Sequence, residues 1–129
     1  MKESRALVDS SIWLPYFLAT SQEVREIIDS QDTLLFTSSI TLHEVKRKLL
    51  KLNYTSMQAE KAIQFIRENS VVIPVDEDIA VNSVNHCMKS NLHTVDSIIY
   101  ETAMQNKCKL VTADKDFKGL KDALVLKCD

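Results

Sequence analysis

Five short apolar runs recur along the chain, and each is bounded by polar residues. A short continuous apolar run of this kind is typical of a β-strand that is buried on both faces. Pro74 lies in the third run and indicates an edge position, because proline cannot donate a hydrogen bond to a neighbouring strand. The predicted strands are residues 6–8, 33–37, 71–75, 109–112 and 123–126.

Apolar residues between these runs recur at three- and four-residue spacing, which predicts helices. One example carries Ala59, Ala62 and Ile66, and another helix is predicted over residues 39–52 with a stop at Asn53. Strands that alternate with helices predict an α/β fold, a three-layer α/β/α sandwich with a central parallel sheet of about five strands. The residues predicted to cap helix starts are Ser10 or Ser11, Ser21, Thr55 or Ser56, Asp76 and Thr94.

Composition supports this fold class and excludes several others. The 129 residues predict one domain, residues 1–129. One glycine and two prolines are too few for a turn-rich all-β protein, and 45% hydrophobic residues argue against a disordered chain. A formal net charge of −2 argues against a strongly basic nucleic-acid-binding domain, although it leaves a local basic patch open.

Cysteine usage and hydropathy bear on the cellular compartment. Cys87, Cys108 and Cys128 form no Cys-x-x-Cys pair, so we expect reduced thiols rather than a disulfide framework or a zinc site. No apolar run approaches the ~20 residues of a membrane helix, and the N-terminus lacks the pattern of a signal peptide. The expectation is a cytoplasmic protein with no membrane partner.

Two acids follow predicted strands. Asp9 comes directly after the first strand, and Asp114 comes after the fourth with Ala113 between them. Ligands of open parallel sheets bind outside the carboxyl ends of the strands, so these two side chains are expected to meet there if both strands are central. The alternative is that each acid only caps the helix that follows it.

Two further acids lie near predicted helix starts. Asp96 lies on or beside the apolar face that carries Ile99 and Tyr100, and a buried carboxylate must be neutral, paired or bound to a metal. Glu44 follows Ile40 by one turn, at the rim of an apolar stripe. The alternatives are helix-dipole stabilisation for Asp96, and for Glu44 a capping box with Thr41 or a surface pair with Lys48.

Together the four acids predict a metal site. Helix starts in such a fold lie at the carboxyl edge of the sheet, where the acids that follow strands also lie. Carboxylates gathered in one cleft repel one another and do not all stay ionised without a cation. Clustered oxygen ligands suit Mg²⁺ or Mn²⁺. The candidate catalytic and metal-binding residues are Asp9, Glu44, Asp96 and Asp114.

Four segments of the chain carry a family resemblance. Residues 7–13, 37–45, 94–103 and 110–117 resemble a PIN domain, and most of all the VapC toxins of toxin–antitoxin pairs. The last two segments, in this order and at this distance, are the more specific ones. The resemblance covers nearly the whole chain and implies a metal-dependent endoribonuclease that hydrolyses RNA phosphodiesters, with an RNA substrate, a cognate antitoxin and a homodimer as expected partners.

The resemblance also assigns roles to residues. It places one or two Mg²⁺ or Mn²⁺ on Asp9, Asp96 and Asp114, with Glu44 binding directly or through water. Activated water then attacks the phosphorus and leaves a 3′-hydroxyl and a 5′-phosphate. The resemblance adds a variable fifth acid and two supporting hydroxyl residues, namely Asp116, Ser11 and Thr112.

Basic and aromatic residues have two interpretations each. Arg47, Lys48 and Lys51 follow Glu44, and Lys115 flanks the last acids; they either contact RNA phosphates or form a solvated face. The same question applies to Lys46, Lys118 and Lys121. A bulky cluster on the first helix belongs to the core or to a dimer or antitoxin surface, and consists of Trp13, Tyr16 and Phe17. No role is assigned to His43, His86 or His93, which lack metal-ligand spacing.

Other functions remain open on the residues alone. A phosphoacceptor receiver domain requires an acid pair after the first strand, where Ser10 and Ser11 stand. A haloacid-dehalogenase-type phosphatase requires Asp-x-Asp, and Ser11 occupies the second position. Within the PIN family, a nuclease of RNA processing or decay, or a catalytically silent module that binds RNA or protein, is the alternative to a toxin.

Overall fold

Five parallel strands form one sheet in the order β3-β2-β1-β4-β5 in the computed structural model, which describes residues 4–127. Pro74 directly follows β3, and β3 is an edge strand as predicted. The order differs from the 2-1-3-4-5 order of receiver-type sheets, which argues against the receiver alternative. The strands are β1 Ser4–Val8, β2 Thr33–Ser38, β3 Val71–Ile73, β4 Lys109–Thr112 and β5 Ala123–Val125.

Seven α-helices and one 3₁₀ turn connect these strands within residues 4–127. They are α1 Ser10–Leu18, α2 Gln22–Asp29, α3 Ser39–Lys51, α4 Ser56–Asn69, α5 Glu77–Asn82, α6 Val84–Ser90, α7 Thr94–Gln105 and the 3₁₀ turn Lys115–Phe117. None of these helices is both long and apolar enough to cross a bilayer.

Local signals place three of the five predicted caps correctly, whereas Asp9 and His93 hold the cap positions predicted for Ser10 or Ser11 and for Thr94. Ser21, Thr55 and Asp76 cap their helices through side-chain hydrogen bonds, as predicted. Asn53 takes a left-handed backbone conformation just after α3, in agreement with the predicted stop. The sequence pattern predicts one helix from Asp76 to Cys87, but the structure divides it at Ser83, whose hydroxyl donates to the carbonyl oxygen of Ala80 at 2.9 Å.

The sheet is covered on both faces, which confirms the three-layer sandwich. Ala6 and Val8 of β1 belong to the apolar cluster formed with helices α1 to α4, whereas Leu7 between them packs with Ile99 and Ala103 of α7. This alternation follows from the two-residue period of a strand. Both apolar clusters extend to the carboxyl ends of β1 and β4, so the backbone that carries the next side chains is held in place by packing on both faces. Cys128 lies outside the described residues.

Candidate active site

The carboxyl ends of β1 and β4 form the point at which the order of the sheet reverses. From β1 the chain proceeds to β2 and β3 on one side, and β4 and β5 lie on the other. Such a point opens a crevice between the loops that follow the two central strands. Val8 pairs with Val111 in the register, and the backbone N–H of Asp9 donates to the carbonyl oxygen of Val111 at 3.1 Å. Asp9 and Thr112 therefore lie side by side in this crevice.

The carboxylate of Asp9 is held by two hydroxyl groups. Its Oδ2 accepts from Ser11 Oγ at 2.9 Å and from Thr112 Oγ1 at 2.8 Å. The two hydroxyl oxygens lie 3.2 Å apart. Asp9 occupies the cap position of α1, yet its side chain makes no capping hydrogen bond. The capping alternative is therefore wrong for Asp9, and the buried carboxylate is oriented by one side chain from the start of α1 and one from the end of β4.

The loop after β4 is built on the same two hydroxyl groups. Ser11 Oγ accepts from the backbone N–H of Ala113 at 2.8 Å, and Thr112 Oγ1 accepts from that of Asp114 at 3.0 Å. Asp114 in turn caps the 3₁₀ turn, because its Oδ1 accepts from the N–H of Asp116 at 2.9 Å. The capping interpretation of Asp114 is thus correct. Capping uses Oδ1, and the second carboxylate oxygen of Asp114 can still act as a metal ligand.

Asp96 joins this loop from the first turn of α7. Carboxylate oxygens of Asp96, Asp114 and Asp116 all lie within 4.8 Å of one another. The pKa of Asp96 is raised to about 6, first by burial and then by the negative charges of Asp114, Asp9, Asp116 and Glu44. The side chain is therefore not a simple helix-dipole acid. It faces the other acids, and every charge that acts on it is negative.

Glu44 approaches the group from α3. Burial raises its pKa, the charge of Asp9 raises it further, and the cations of Lys48 and Arg47 oppose these effects. The predicted capping box is wrong, because α3 begins earlier and Ser38 is its cap. Thr41 consequently lies inside the helix, fully buried, and its hydroxyl has no hydrogen-bond partner within residues 4–127. The interaction of Glu44 with Asp9 supports a place in the acidic group.

This donor set fits a hard divalent cation. The described acids offer carboxylate oxygens, the preferred ligands of Mg²⁺ and Mn²⁺ in proteins. The mutual repulsion that raises the pKa of Asp96 is removed when a cation lies among the acids. Carboxylate oxygens of Asp96, Asp114 and Asp116 lie within 4.8 Å of one another. The charges of Asp9 and Glu44 act on Asp96, so these two predicted acids lie near the same group.

Some of the candidate basic side chains lie near the acids, and others lie far from them. Arg47 and Lys48 act on Glu44 and lie beside the acids, and Lys115 stands between Asp114 and Asp116 in sequence and is exposed. Lys121 instead precedes β5, so it lies toward the opposite, amino edge of the sheet, where it lines a separate cavity with Lys107 and Lys109. Lys51 is exposed in the last turn of α3, and Lys46 pairs with Glu60.

The aromatic cluster of α1 divides between core and surface. Trp13 is fully buried, and its Nε1–H donates to Thr37 Oγ1 at 3.2 Å. Tyr16 and Phe17 are only partly buried and, with Phe65 and Tyr54, line a groove of about 350 Å³ between α1 and the α3–α4 pair. The core interpretation is thus correct for Trp13, and an apolar surface remains at Tyr16 and Phe17.

Two features at histidines are missing from the sequence interpretation. His86 Nε2 lies 2.7 Å from Glu101 Oε1, on the α6–α7 side of the sheet. His43 lines a small cavity beside the acids with Ile40, Val75 and Ile98. The adjacency of His43 to Glu44 is the only sequence signal for this cavity, because the other walls come from segments distant in the chain.

Solved structures resemble this fold over nearly its full length. A toxin–antitoxin complex from Klebsiella pneumoniae contains a chain with a TM-score of 0.79 and 25% identity, covering 93% of this chain and 96% of that one. VapBC2 from Rickettsia felis, bound to a promoter DNA fragment, gives 0.74 and 14%, with 97% and 99% covered. VapC20 from Mycobacterium tuberculosis, described as a toxin that cleaves the sarcin–ricin loop, gives 0.74 and 17%, with 90% and 95% covered.

Sequence comparison gives the family. No curated protein sequence matches the chain significantly. The family profile described as the PIN domain, in contrast, matches residues 6–123. This span contains β2, β3 and β4, most of β1, the first residue of β5 and every acid of the crevice. With this match over most of its length, the chain belongs to the PIN domain family.

Proposed function

We propose that this protein is a metal-dependent endoribonuclease and the toxin of a VapBC-type toxin–antitoxin pair. The observation that carries the proposal is the group of Asp96, Asp114 and Asp116 at the crevice between β1 and β4, with the charges of Asp9 and Glu44 acting on Asp96. Membership of the PIN family and the similarity to toxin–antitoxin structures support the same function.

The acids would hold Mg²⁺ or Mn²⁺ through their carboxylate oxygens. Asp96, Asp114 and Asp116 form the closest group, and Asp9 and Glu44 act on it through their charges. When bound, the metal supplies an activated water and neutralises charge at the phosphorus. Ser11 and Thr112 keep the carboxylate of Asp9 in one orientation, which preserves the donor geometry before the metal arrives.

The chain itself supplies no covalent nucleophile in this proposal. The two hydroxyl groups bonded to Asp9, those of Ser11 and Thr112, each donate to its carboxylate and accept one backbone N–H from the loop after β4. Their protons are therefore engaged in orienting Asp9. Hydrolysis by water, which leaves a 3′-hydroxyl and a 5′-phosphate, is the reaction that agrees with this arrangement.

Basic side chains beside the acids would bind the RNA backbone. Arg47 and Lys48 lie close enough to Glu44 to oppose the rise in its pKa, and Lys115 is exposed on the loop of Asp114. Lys51 extends this basic surface along α3. Cations at such positions attract phosphates without reading sequence, so they provide affinity and register rather than target choice.

The groove at Tyr16 and Phe17 is the surface that we assign to protein partners. Aromatic residues are enriched at interfaces, and this groove combines exposed aromatic edges with the apolar side chain of Leu49. Several similar solved structures are toxin–antitoxin complexes, including VapBC-1 from nontypeable Haemophilus influenzae. We propose a cognate antitoxin as partner here, and a homodimer of the toxin.

The test is cleavage of a structured RNA mixture with Mn²⁺, with Mg²⁺ and with EDTA, using the natural protein and the Asp96→Asn variant. We expect cleavage with either metal, none with EDTA and none in the variant. Tight RNA binding without cleavage under any metal would support the alternative of a silent binding module. Metal-binding calorimetry then decides whether the acids hold a cation at all.

A further inference from the structure

A small cavity opens next to the acids, on the side of the site nearer to β2 and β3. It has a volume of about 180 Å³ and lies between the start of α3, the segment after β3 and the first turns of α7. We call it the α3–α7 cavity. Its lining residues are Ser39, Ile40, His43, Val75 and Ile98.

The cavity shares both of its helices with the acidic group. Ile40 lies one helical turn before Glu44 on α3, and His43 is its direct neighbour. Ile98 follows Asp96 by two residues in the first turns of α7. Because residues of both helix starts line this one cavity, the starts of α3 and α7 converge there, beside Glu44 and Asp96.

One wall of the cavity is fixed by a hydrogen bond between distant segments. The backbone N–H of Val75 donates to Ser39 Oγ at 3.1 Å and joins the segment after β3 to the start of α3. A wall held in this way is prepared for a ligand rather than formed by it.

The lining chemistry selects a flat heteroaromatic ring. Ile40, Val75 and Ile98 provide apolar walls, which disfavour a phosphate or a metal ion. His43 is exposed at the edge and offers an aromatic face, and histidine is among the side chains on which unpaired RNA bases stack. The size suits one ring system and excludes a base pair.

We propose that the α3–α7 cavity receives one unpaired nucleobase of the RNA, adjacent to the phosphodiester held at the acids, with His43 stacking on it. This inference rests on the proposed nuclease function and extends it to a specificity-determining site. A base within a duplex cannot enter, because its polar edge and both faces are occupied. His43, Ile40 and Ile98 are then residues that select the nucleotide next to the cut.

The first experiment needs no cleavage. Each of the four nucleoside 5′-monophosphates is titrated into the metal-free protein, and NMR follows the ring of His43 and the methyl groups of Ile40 and Ile98. We expect saturable shifts at these three residues for at least one nucleotide, with inorganic phosphate producing none. The His43→Ala variant should weaken that binding about 5-fold or more, as expected for the loss of one stacking contact. Shifts that are absent from Ile40 and Ile98 would overturn the cavity as a base site.

The second experiment separates this inference from the nuclease proposal. A cleaved hairpin RNA is resynthesised with an abasic ribose at each position flanking the cut in turn. We expect one position at which the abasic substitution raises KM for the natural protein about 5-fold or more but has little further effect in His43→Ala. Leu50→Ala, an exposed position two turns further along α3, serves as the control that should respond like the natural protein.

The outcomes are distinct. Cleavage that is equally sensitive to every abasic position in the natural protein and in His43→Ala contradicts the base site but leaves the nuclease proposal intact. Base-selective shifts at His43, Ile40 and Ile98 in a protein that cleaves no RNA support the base site and contradict the nuclease proposal.

Discussion

Thr112 donates a hydrogen bond of 2.8 Å to Oδ2 of Asp9, a residue 103 positions earlier in the chain. This bond joins the carboxyl ends of two neighbouring parallel strands. Ser11 donates a second hydrogen bond to the same oxygen at 2.9 Å. The same hydroxyl of Thr112 accepts from the backbone of Asp114, so one side chain orients two of the acids.

Thr112→Val should reduce metal affinity and cleavage about 10- to 100-fold, because outer hydrogen bonds fix the orientation of a metal ligand. The substitution keeps the shape of the side chain and removes both the donor to Asp9 and the acceptor for Asp114. Calorimetric titration with Mn²⁺ and cleavage rates measure the effect. Thr102→Val is the matched control, since Thr102 is equally buried but donates to Ile98 within α7. Equal losses of activity in both variants would point to a general effect of stability.

Asp9→Asn should abolish cleavage while the protein stays folded. The amide oxygen of asparagine can still accept from Ser11 and Thr112, but the side chain no longer offers a negative charge to a metal. Circular dichroism and thermal unfolding should therefore match those of the natural protein closely. Asp32→Asn, on the exposed turn before β2, controls for the loss of one negative charge. Full activity in Asp9→Asn would exclude this residue as a metal ligand.

Asp96 should make the metal-free protein less stable as pH rises from about 4 to about 6. Its pKa is raised from 3.8 to about 6 by burial and by neighbouring acids, so the folded protein binds more protons than the unfolded chain in this range. Stability falls with pH wherever the folded state holds more protons. At pH 7, Asp96→Asn should thus raise the free energy of unfolding by about 1–2 kcal/mol, allowing for solvent screening of a half-buried group.

The measurement is urea unfolding at a series of pH values, with EDTA present and again with Mg²⁺. Metal should remove most of the pH dependence, because the cation compensates the same repulsion that the proton relieves. Asp78→Asn, an exposed acid in the first turn of α5, should leave the slope unchanged. A pH dependence from pH 4 to pH 6 without metal that is the same in Asp96→Asn as in the natural protein would contradict the assigned repulsion.

Arg47→Glu and Lys48→Glu should each make RNA binding less dependent on salt. Each phosphate contact to single-stranded RNA contributes about 0.7 to the slope of log affinity against log salt concentration. We therefore expect the slope to become shallower by about that amount for each lost contact, as measured by fluorescence anisotropy with Ca²⁺ or without metal. Lys109→Glu is the control, because Lys109 begins β4 at the opposite edge of the sheet. A slope that changes equally in the control would show that net charge alone is responsible.

Local patterns in the sequence determine the elements and the identity of the acids. Short apolar runs and three- to four-residue spacing predict all five strands, since burial on a sheet or a helix imposes its own period. Ser21, Thr55 and Asp76 are correctly predicted as caps, because a cap bonds to a backbone group only three residues away. The family resemblance of residues 94–103 and 110–117 also depends on the sequence alone.

Tertiary structure decides which of two equally local interpretations applies. Asp9 and Asp114 both follow strands, yet Asp114 caps a turn and Asp9 does not, because the register of β1 with β4 places Thr112 beside Asp9. Thr41 fits a capping box with Glu44, but the end of β2 places the cap at Ser38 instead. These outcomes depend on strand order and register.

The same limit explains the features that sequence reasoning missed or misplaced. Lys121 follows the acids within a few residues, yet the chain has by then crossed to the opposite edge of the sheet to begin β5. The α3–α7 cavity beside His43 is lined by three separate segments and has no local signature. Periodicity along the chain specifies what each element is. The contacts between elements that are distant in sequence, formed only when the sheet assembles, specify what the side chains at its edge can do.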